Sequence, residues 1–156
     1  MNAAELAVRL RRPWLDPVVS AFSLLGNNGV GIVAVGSGSA LVAGEPGRAV
    51  SFAALVVGTL VANASVKQVV RRERPRVETV IRAPGSSSFP SSHAAIAAAA
   101  AWAASGWVPA LAPAFASLAL LMALSRIYLG VHHGTDVVAG LALGSLSGVA
   151  FVLLEG

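Results

Sequence analysis

The sequence predicts an all-α fold, an integral-membrane helical bundle of about five transmembrane helices preceded by a short amphipathic N-terminal segment. Three observations predict it. Hydrophobic residues make up 56% of the 156-residue chain and charged residues 12%, against about 45–50% and about 25% in soluble proteins. So short a chain buries too little surface to hide that much apolar area from water. Four stretches, 17–44, 49–66, 94–124 and 137–154, carry no charge and are long enough, or nearly so, for a crossing of about 20 residues. The basic residues cluster in the connections between them, as membrane proteins arrange them.

The elements follow in order. Residues 3–12 read as the amphipathic segment. The run Leu25-Gly26-Asn27-Asn28-Gly29 is a breaker that ends a short surface helix and starts a first span at 28–44. A second span covers 48–71. Ser105-Gly106-Trp107-Val108-Pro109 splits the third stretch into spans 92–105 and 108–127, and the last span runs 134–154. Gly140, Gly144 and Gly148 recur on one face, a small-residue stripe that lets helices approach closely. Packing inside the bundle is the favoured use of that stripe, and a homo-oligomer stays open. The alanine run 97–101 suits a helix buried among others. Residues 1–156 read as one membrane-embedded domain with its motifs within 67–136.

The same features exclude several classes. Pro13, Trp14 and Asp16 follow the basic N-terminus where a secretory signal would place an apolar core. With no cysteine there is no disulfide framework or thiol nucleophile. The net charge of +4 belongs to loops flanking apolar runs, so the expected partner is a lipid bilayer and not nucleic acid. With five spans the N-terminus, the loop 72–90 and the turn near Gly130 share one side. That side carries Arg9, Arg11, Arg12, Arg71, Arg72, Arg74, Arg76, Arg82 and Arg126, with Lys67 just inside, while the other has Arg48. The positive-inside rule favours a cytoplasmic over an external position for the Arg-rich side.

Polar residues in a membrane are expensive and call for a partner or a function. Three clusters of them fall on this one side. Lys67 and Arg74-Pro75 close the second span, seven residues apart and able to share a face while the helix lasts. Alone, they read more readily as a stop-transfer cluster snorkelling to headgroups. Pro90-Ser91-Ser92-His93 opens the third span, where Ser91 or Ser92 is a suitable N-cap and free N–H groups make an anion site. Ser125-Arg126, His132, His133 and Asp136 join the last two spans. Asp136 is four residues from His132, placed to accept an imidazole N–H and leave the other nitrogen as nucleophile, or else to cap a polar turn. Together the clusters offer cations for a tetrahedral oxyanion and histidines for attack and proton transfer. Phosphoryl transfer needs that combination. A His/Asp metal site has too few carboxylates and too many cations nearby, so no metal and no cofactor is expected.

These clusters resemble the three motifs of the type 2 phosphatidic acid phosphatase superfamily: Lys, six residues, Arg-Pro; Pro-Ser-Gly-His; and Ser-Arg, five residues, His, three residues, Asp. They stand here as Lys67 to Arg74-Pro75, Pro90-Ser91-Ser92-His93, and Ser125-Arg126 to His132 to Asp136. The resemblance implies that His132 attacks phosphorus with Asp136 orienting it. It implies that His93 protonates the leaving oxygen and then activates water. Lys67, Arg74, Ser91, the backbone N–H of Ser92 and Arg126 would bind phosphate, without a metal. Ser92 replaces the usual glycine, which keeps the N–H but puts the close approach of backbone to phosphate in doubt. His133 falls where the family is variable and is assigned no catalytic role.

The implied function is hydrolysis of a membrane lipid phosphate, of polyprenyl phosphate type. The short, Ala-rich chain is similar to the bacterial polyprenyl-phosphate group that includes decaprenylphosphoryl-5-phosphoribose phosphatases. Phosphatidylglycerophosphate or phosphatidic acid are the alternatives within the same mechanism. A vanadate haloperoxidase shares the pocket, but those proteins are large and soluble. An anion-transporter subunit would place basic residues at several depths.

Overall fold

The computed structural model describes residues 3–155. Their order is α1 (Ala3–Leu10), α2 (Asp16–Leu24), α3 (Val30–Val42), α4 (Pro46–Val70), α5 (Ser92–Trp107), α6 (Ala112–Tyr128) and α7 (Gly134–Glu155), with 3-10 turns leading into α2, α3 and α6. Both expected breaks are present. At the first, α2 and α3 are bent by 44° through Asn28 (φ 49°) and Gly29 (φ 74°). Asparagine tolerates the left-handed region better than most residues. Gly29 is required twice over, by its φ and because a Cβ would stand 2.7 Å from Val56 Cγ1.

All five expected spans are helical, but length and apolarity give three crossing helices: α4, α7, and α6 with its leading turn. The bent α2–α3 pair makes a fourth if counted as one. The difference lies in α3 and α5. At 16 residues, α5 is about 24 Å long, short of a hydrocarbon core of about 30 Å, and α3 has 13 residues. The surroundings of α5 explain its length. It is wrapped by α7, α6 and α4, and every residue from Ala94 to Ala99 is buried. A helix sheathed by other helices need not match the lipid thickness.

The glycine stripe of α7 lies in this sheath. A Cβ on Gly144 would collide with the Ala95 carbonyl, one on Gly140 with the Ser91 carbonyl, and one on Gly148 with Ala99 and Trp102. The stripe is thus the α5–α7 seam. Elsewhere large apolar side chains face outward, Val35, Val57, Leu121 and Leu153 among them, while Thr59, Asn63, Arg126 and Asp136 are buried. That inversion of the soluble pattern suits a lipid solvent.

The three segments expected on one side meet there. The Tyr128 hydroxyl accepts from Arg12 N–H (3.3 Å) and donates to the Arg12 carbonyl (2.9 Å). Arg11 pairs with Glu78 at 3.6 Å, and Val80 N–H donates to the Leu129 carbonyl at 3.2 Å. At the far end the Arg48 guanidinium lies 5.8 Å from the Trp107 ring centre.

Candidate active site

A cavity of about 700 Å³ opens at the Arg-rich end. Six of the eight residues singled out in the sequence line it: Lys67, Arg74, Ser92, His93, Arg126 and His132. Ser91 and Asp136 lie behind its wall, both fully buried.

The first cluster converges differently from the expectation. Helix α4 ends at Val70, and Arg71 reverses the chain in the left-handed region, so Lys67 and Arg74 share no helical face. The loop brings them together instead. Lys67 Nζ donates to the Ser87 carbonyl at 2.7 Å. Arg74 donates from Nε to the Pro84 carbonyl (2.9 Å) and from Nη1 to the Val131 carbonyl (2.7 Å). Its Nη1 also lies 3.4 Å from His132 Nε2.

In the second cluster Ser91 is the N-cap position of α5, but its hydroxyl makes no capping bond. Its N–H donates to the Asp136 carbonyl at 2.9 Å, which ties the starts of α5 and α7 together. Ser92 donates from Oγ to Asn63 Oδ1 at 2.9 Å. Asn63 in turn reaches the Pro90 carbonyl at 3.4 Å. The hydroxyl that stands in for the usual hydrogen is therefore occupied by a buried amide of α4. His93, at the first turn of α5, places Nε2 3.1 Å from Asn27 Oδ1.

In the third cluster Arg126 is buried and donates to Ser23 Oγ. Asp136 caps the start of the last helix, and it faces the His132 imidazole without accepting its N–H. Its Oδ2 accepts the His133 N–H at 2.8 Å while Asp136 N–H donates to the His133 carbonyl, the side-chain half of a capping box. The same Oδ2 lies 3.6 Å from His132 Nδ1, in ion-pair range but beyond a hydrogen bond. His132 precedes α7, so the turn rather than a helical face brings the two together. His133 enters this arrangement through its backbone.

The electrostatics favour an anion. Among the described residues no carboxylate pairs with Lys67, Arg74 or Arg126, which rest on neutral oxygens. Asp136 Oδ1 is bound by Arg72 at 2.9 Å. Burial, joined by the Arg74, Arg126 and Lys67 cations against the opposing pull of Asp136, lowers the His132 imidazole to about 4. It is neutral at pH 7 and able to attack. Four buried side-chain atoms among the described residues lack a hydrogen-bond partner, and three are here: Ser91 Oγ, Arg126 Nε and His132 Nδ1. Such atoms cost about 1–3 kcal/mol each when left unsatisfied.

Residues 48–155 match the PAP2 superfamily. The chain belongs to that superfamily. Decaprenylphosphoryl-5-phosphoribose phosphatase of Mycolicibacterium smegmatis is 39% identical over 135 residues, covering 83% of this chain and 73% of that protein. Phosphatidylglycerophosphatase B of Bacillus subtilis is 30% identical over 168 residues, covering 98% and 80%. Among solved structures, the PAP2-type phosphatidylglycerolphosphate phosphatase of B. subtilis superposes with a TM-score of 0.83 at 26% identity, covering 98% of this chain and 82% of that one. LpxE of Aquifex aeolicus gives 0.80 at 23% identity, covering 96% and 92%, a likeness of fold. As a PAP2 protein with several apolar helices, the chain is a multi-pass membrane phosphatase.

Sequence reasoning passed over part of this site. Arg72 was one basic residue among many until Asp136 claimed it. Asn63 carried a usable signal, an amide within an otherwise apolar span. Asn27 and Ser23 carried none beyond the chain break.

Proposed function

We propose that this single membrane-embedded domain hydrolyses the phosphomonoester or diphosphate of a membrane lipid, polyprenyl phosphate type favoured, through a phosphohistidine and without a metal. The observation that carries the reading is the convergence of Lys67, Arg74, His93, Arg126 and His132, from separate segments, on one cavity. Nε2 of His132 is the attacking nitrogen, because Nδ1 faces Asp136. Its lone pair forms the N–P bond as the P–O bond to the leaving group breaks, and His93 gives the leaving oxygen a proton. His93 then takes a proton from water, the water oxygen bonds to phosphorus, the N–P bond breaks and phosphate leaves. Lys67, Arg74, Arg126 and the first-turn N–H groups of α5 hold the phosphoryl oxygens, with the Ser91 hydroxyl within the same wall. Preorganised donors of this kind contribute most where charge develops.

The M. smegmatis relative supports a polyprenyl-linked substrate, and the B. subtilis relative supports phosphatidylglycerophosphate as the second reading, with phosphatidic acid the further alternative within the same mechanism. The arginine asymmetry supports a cytoplasmic site.

The test is phosphate release in detergent with EDTA present, from a polyprenyl diphosphate, a polyprenyl-phosphoryl phosphoribose analogue, phosphatidylglycerophosphate and phosphatidic acid. Wild type should turn over at least one, vanadate should inhibit competitively, and His132→Ala should lose at least about a thousandfold. Appreciable activity in His132→Ala removes the nucleophile assignment. Strong inhibition by EDTA removes the metal-free mechanism.

A further inference from the structure

The bent α2–α3 pair lies outside the three motifs and upstream of residues 48–155, where the PAP2 match falls. It nonetheless supplies a wall of the cavity. Three of its residues touch motif residues. Ser23 accepts from Arg126. Gly26 lies so close to the His93 ring that a Cβ there would collide with Cδ2. Asn27 Oδ1 stands 3.1 Å from His93 Nε2.

We propose that Asn27 is a positioning residue for His93, and that through it the α2–α3 bend governs protonation of the leaving group. The inference rests on the phosphatase reading above. In-line displacement puts the leaving oxygen opposite the attacking His132 nitrogen, so the proton donor must be held across the cavity from His132. Among the described residues the His93 ring has one side-chain partner, Asn27, lies against the Gly26 backbone and shares a backbone hydrogen bond with Ser23. An imidazole on a helix start can turn about its side-chain bonds. An amide oxygen on Nε2, beside the Ser23 contact, fixes that rotation and keeps a proton on that nitrogen. During the first step the leaving oxygen replaces the amide as acceptor of that proton, takes it from Nε2, and the His93 imidazolium becomes neutral. The left-handed Asn28–Gly29 turn bends the chain immediately after Asn27.

The experiment compares two phosphate esters that differ in their need for a proton. One is the lipid phosphomonoester of the panel that wild type hydrolyses fastest, whose alkoxide leaves poorly. The other is para-nitrophenyl phosphate, whose phenolate leaves readily without an acid. The variants are Asn27→Leu, of similar size without a polar atom, and Asn27→Asp, which retains an acceptor, with His93→Ala as reference. General acid catalysis is worth about 10²–10⁴-fold. Asn27→Leu should lose about tenfold in kcat on the lipid and less than about twofold on the aryl ester, which shows that the same preparation is folded. Asn27→Asp should restore most of the lipid rate. Equal losses on both esters, or no loss on either, overturn the inference. If His93→Ala itself fails to separate the esters, the acid assignment falls and takes Asn27 with it. A wild type that releases phosphate from neither ester refutes the phosphatase reading and this inference together.

Discussion

The α5–α7 seam and the α2–α3 bend both bear on one cavity, by different means. At the seam, Gly140 and Gly144 let α7 approach until only hydrogen atoms fit against the α5 carbonyls. The two helix starts are cross-linked where Ser91 N–H meets the Asp136 carbonyl. The bend meets the site through the Ser23 and Asn27 side chains and the Gly26 backbone, with Gly26 and Gly29 closely packed and Asn27 exposed. Close-packed backbones hold one geometry, because interiors of that density have no slack. An exposed side chain with a single hydrogen bond, such as Asn27, can change without moving a helix. The seam therefore fixes Ser91 and Asp136, while Asn27 bears on His93 by one contact.

The largest effect expected breaks the seam. Gly144→Ala forces α7 off the Ala95 carbonyl; overpacking of this kind typically costs about 1–3 kcal/mol, and lipid phosphatase activity should fall with it. Gly58, on α4, has no atom within 4 Å of a Cβ, so Gly58→Ala should leave the rate unchanged and raise stability by about 0.5–1 kcal/mol. Thermal unfolding in detergent, read beside phosphate release, checks the pair. Equal behaviour of the two variants would show that the seam is looser than its contacts.

A smaller effect separates the seam's chemistry from its packing. Arg72 holds the buried Asp136 carboxylate at 2.9 Å; hydrogen bonds to charged groups contribute about 1.5–3 kcal/mol. Arg72→Gln should lower kcat/KM by about tenfold or more and lower thermal stability as well, because the buried carboxylate loses its charged partner. Arg76, which pairs with Glu73 on the surface, is the control, since exposed pairs are worth little. Arg76→Gln should match wild type in the same assay.

The smallest effect is in the pH profile. The ordinary histidine value is 6.5, and burial lowers His132 to about 4. The folded protein therefore declines a proton that the unfolded chain accepts. The neutral nucleophile persists as pH falls through 6.5, and the acid limb of kcat/KM due to His132 should lie near 4. Over the same window, from 6.5 down to about 4, stability should decline, because the unfolded chain binds the extra proton. An acid limb near 6.5 would mean that water reaches His132 freely.

The helices were legible because apolar runs and breakers state them directly. Gly26 to Gly29 and Val108-Pro109 end helices for local reasons that any sequence shows. The number of crossings was less legible, since the shortness of α5 depends on its neighbours rather than on its composition. Site residues inside the motifs could be named from spacing, but their geometry could not. Lys67 and Arg74 look like partners on a helix, yet they meet because a loop carbonyl, Ser87, receives Lys67 and lies 3.5 Å from Arg74 Nη2. Arg72, Asn63 and Asn27 were missed because each acts through one long-range contact, and no local pattern encodes a contact 64, 29 or 66 residues away.

Asp136 carries a consequence for how such a site could change over generations. Its two oxygens begin a helix, hold an arginine and face the nucleophile at once. An amide at this position would keep the helix start and lose the charge, and a longer acid would keep the charge and shift the start of the helix. No single substitution trades one of these tasks for a gain in another. Change is better tolerated at an exposed position such as Asn27, which answers to one side-chain contact.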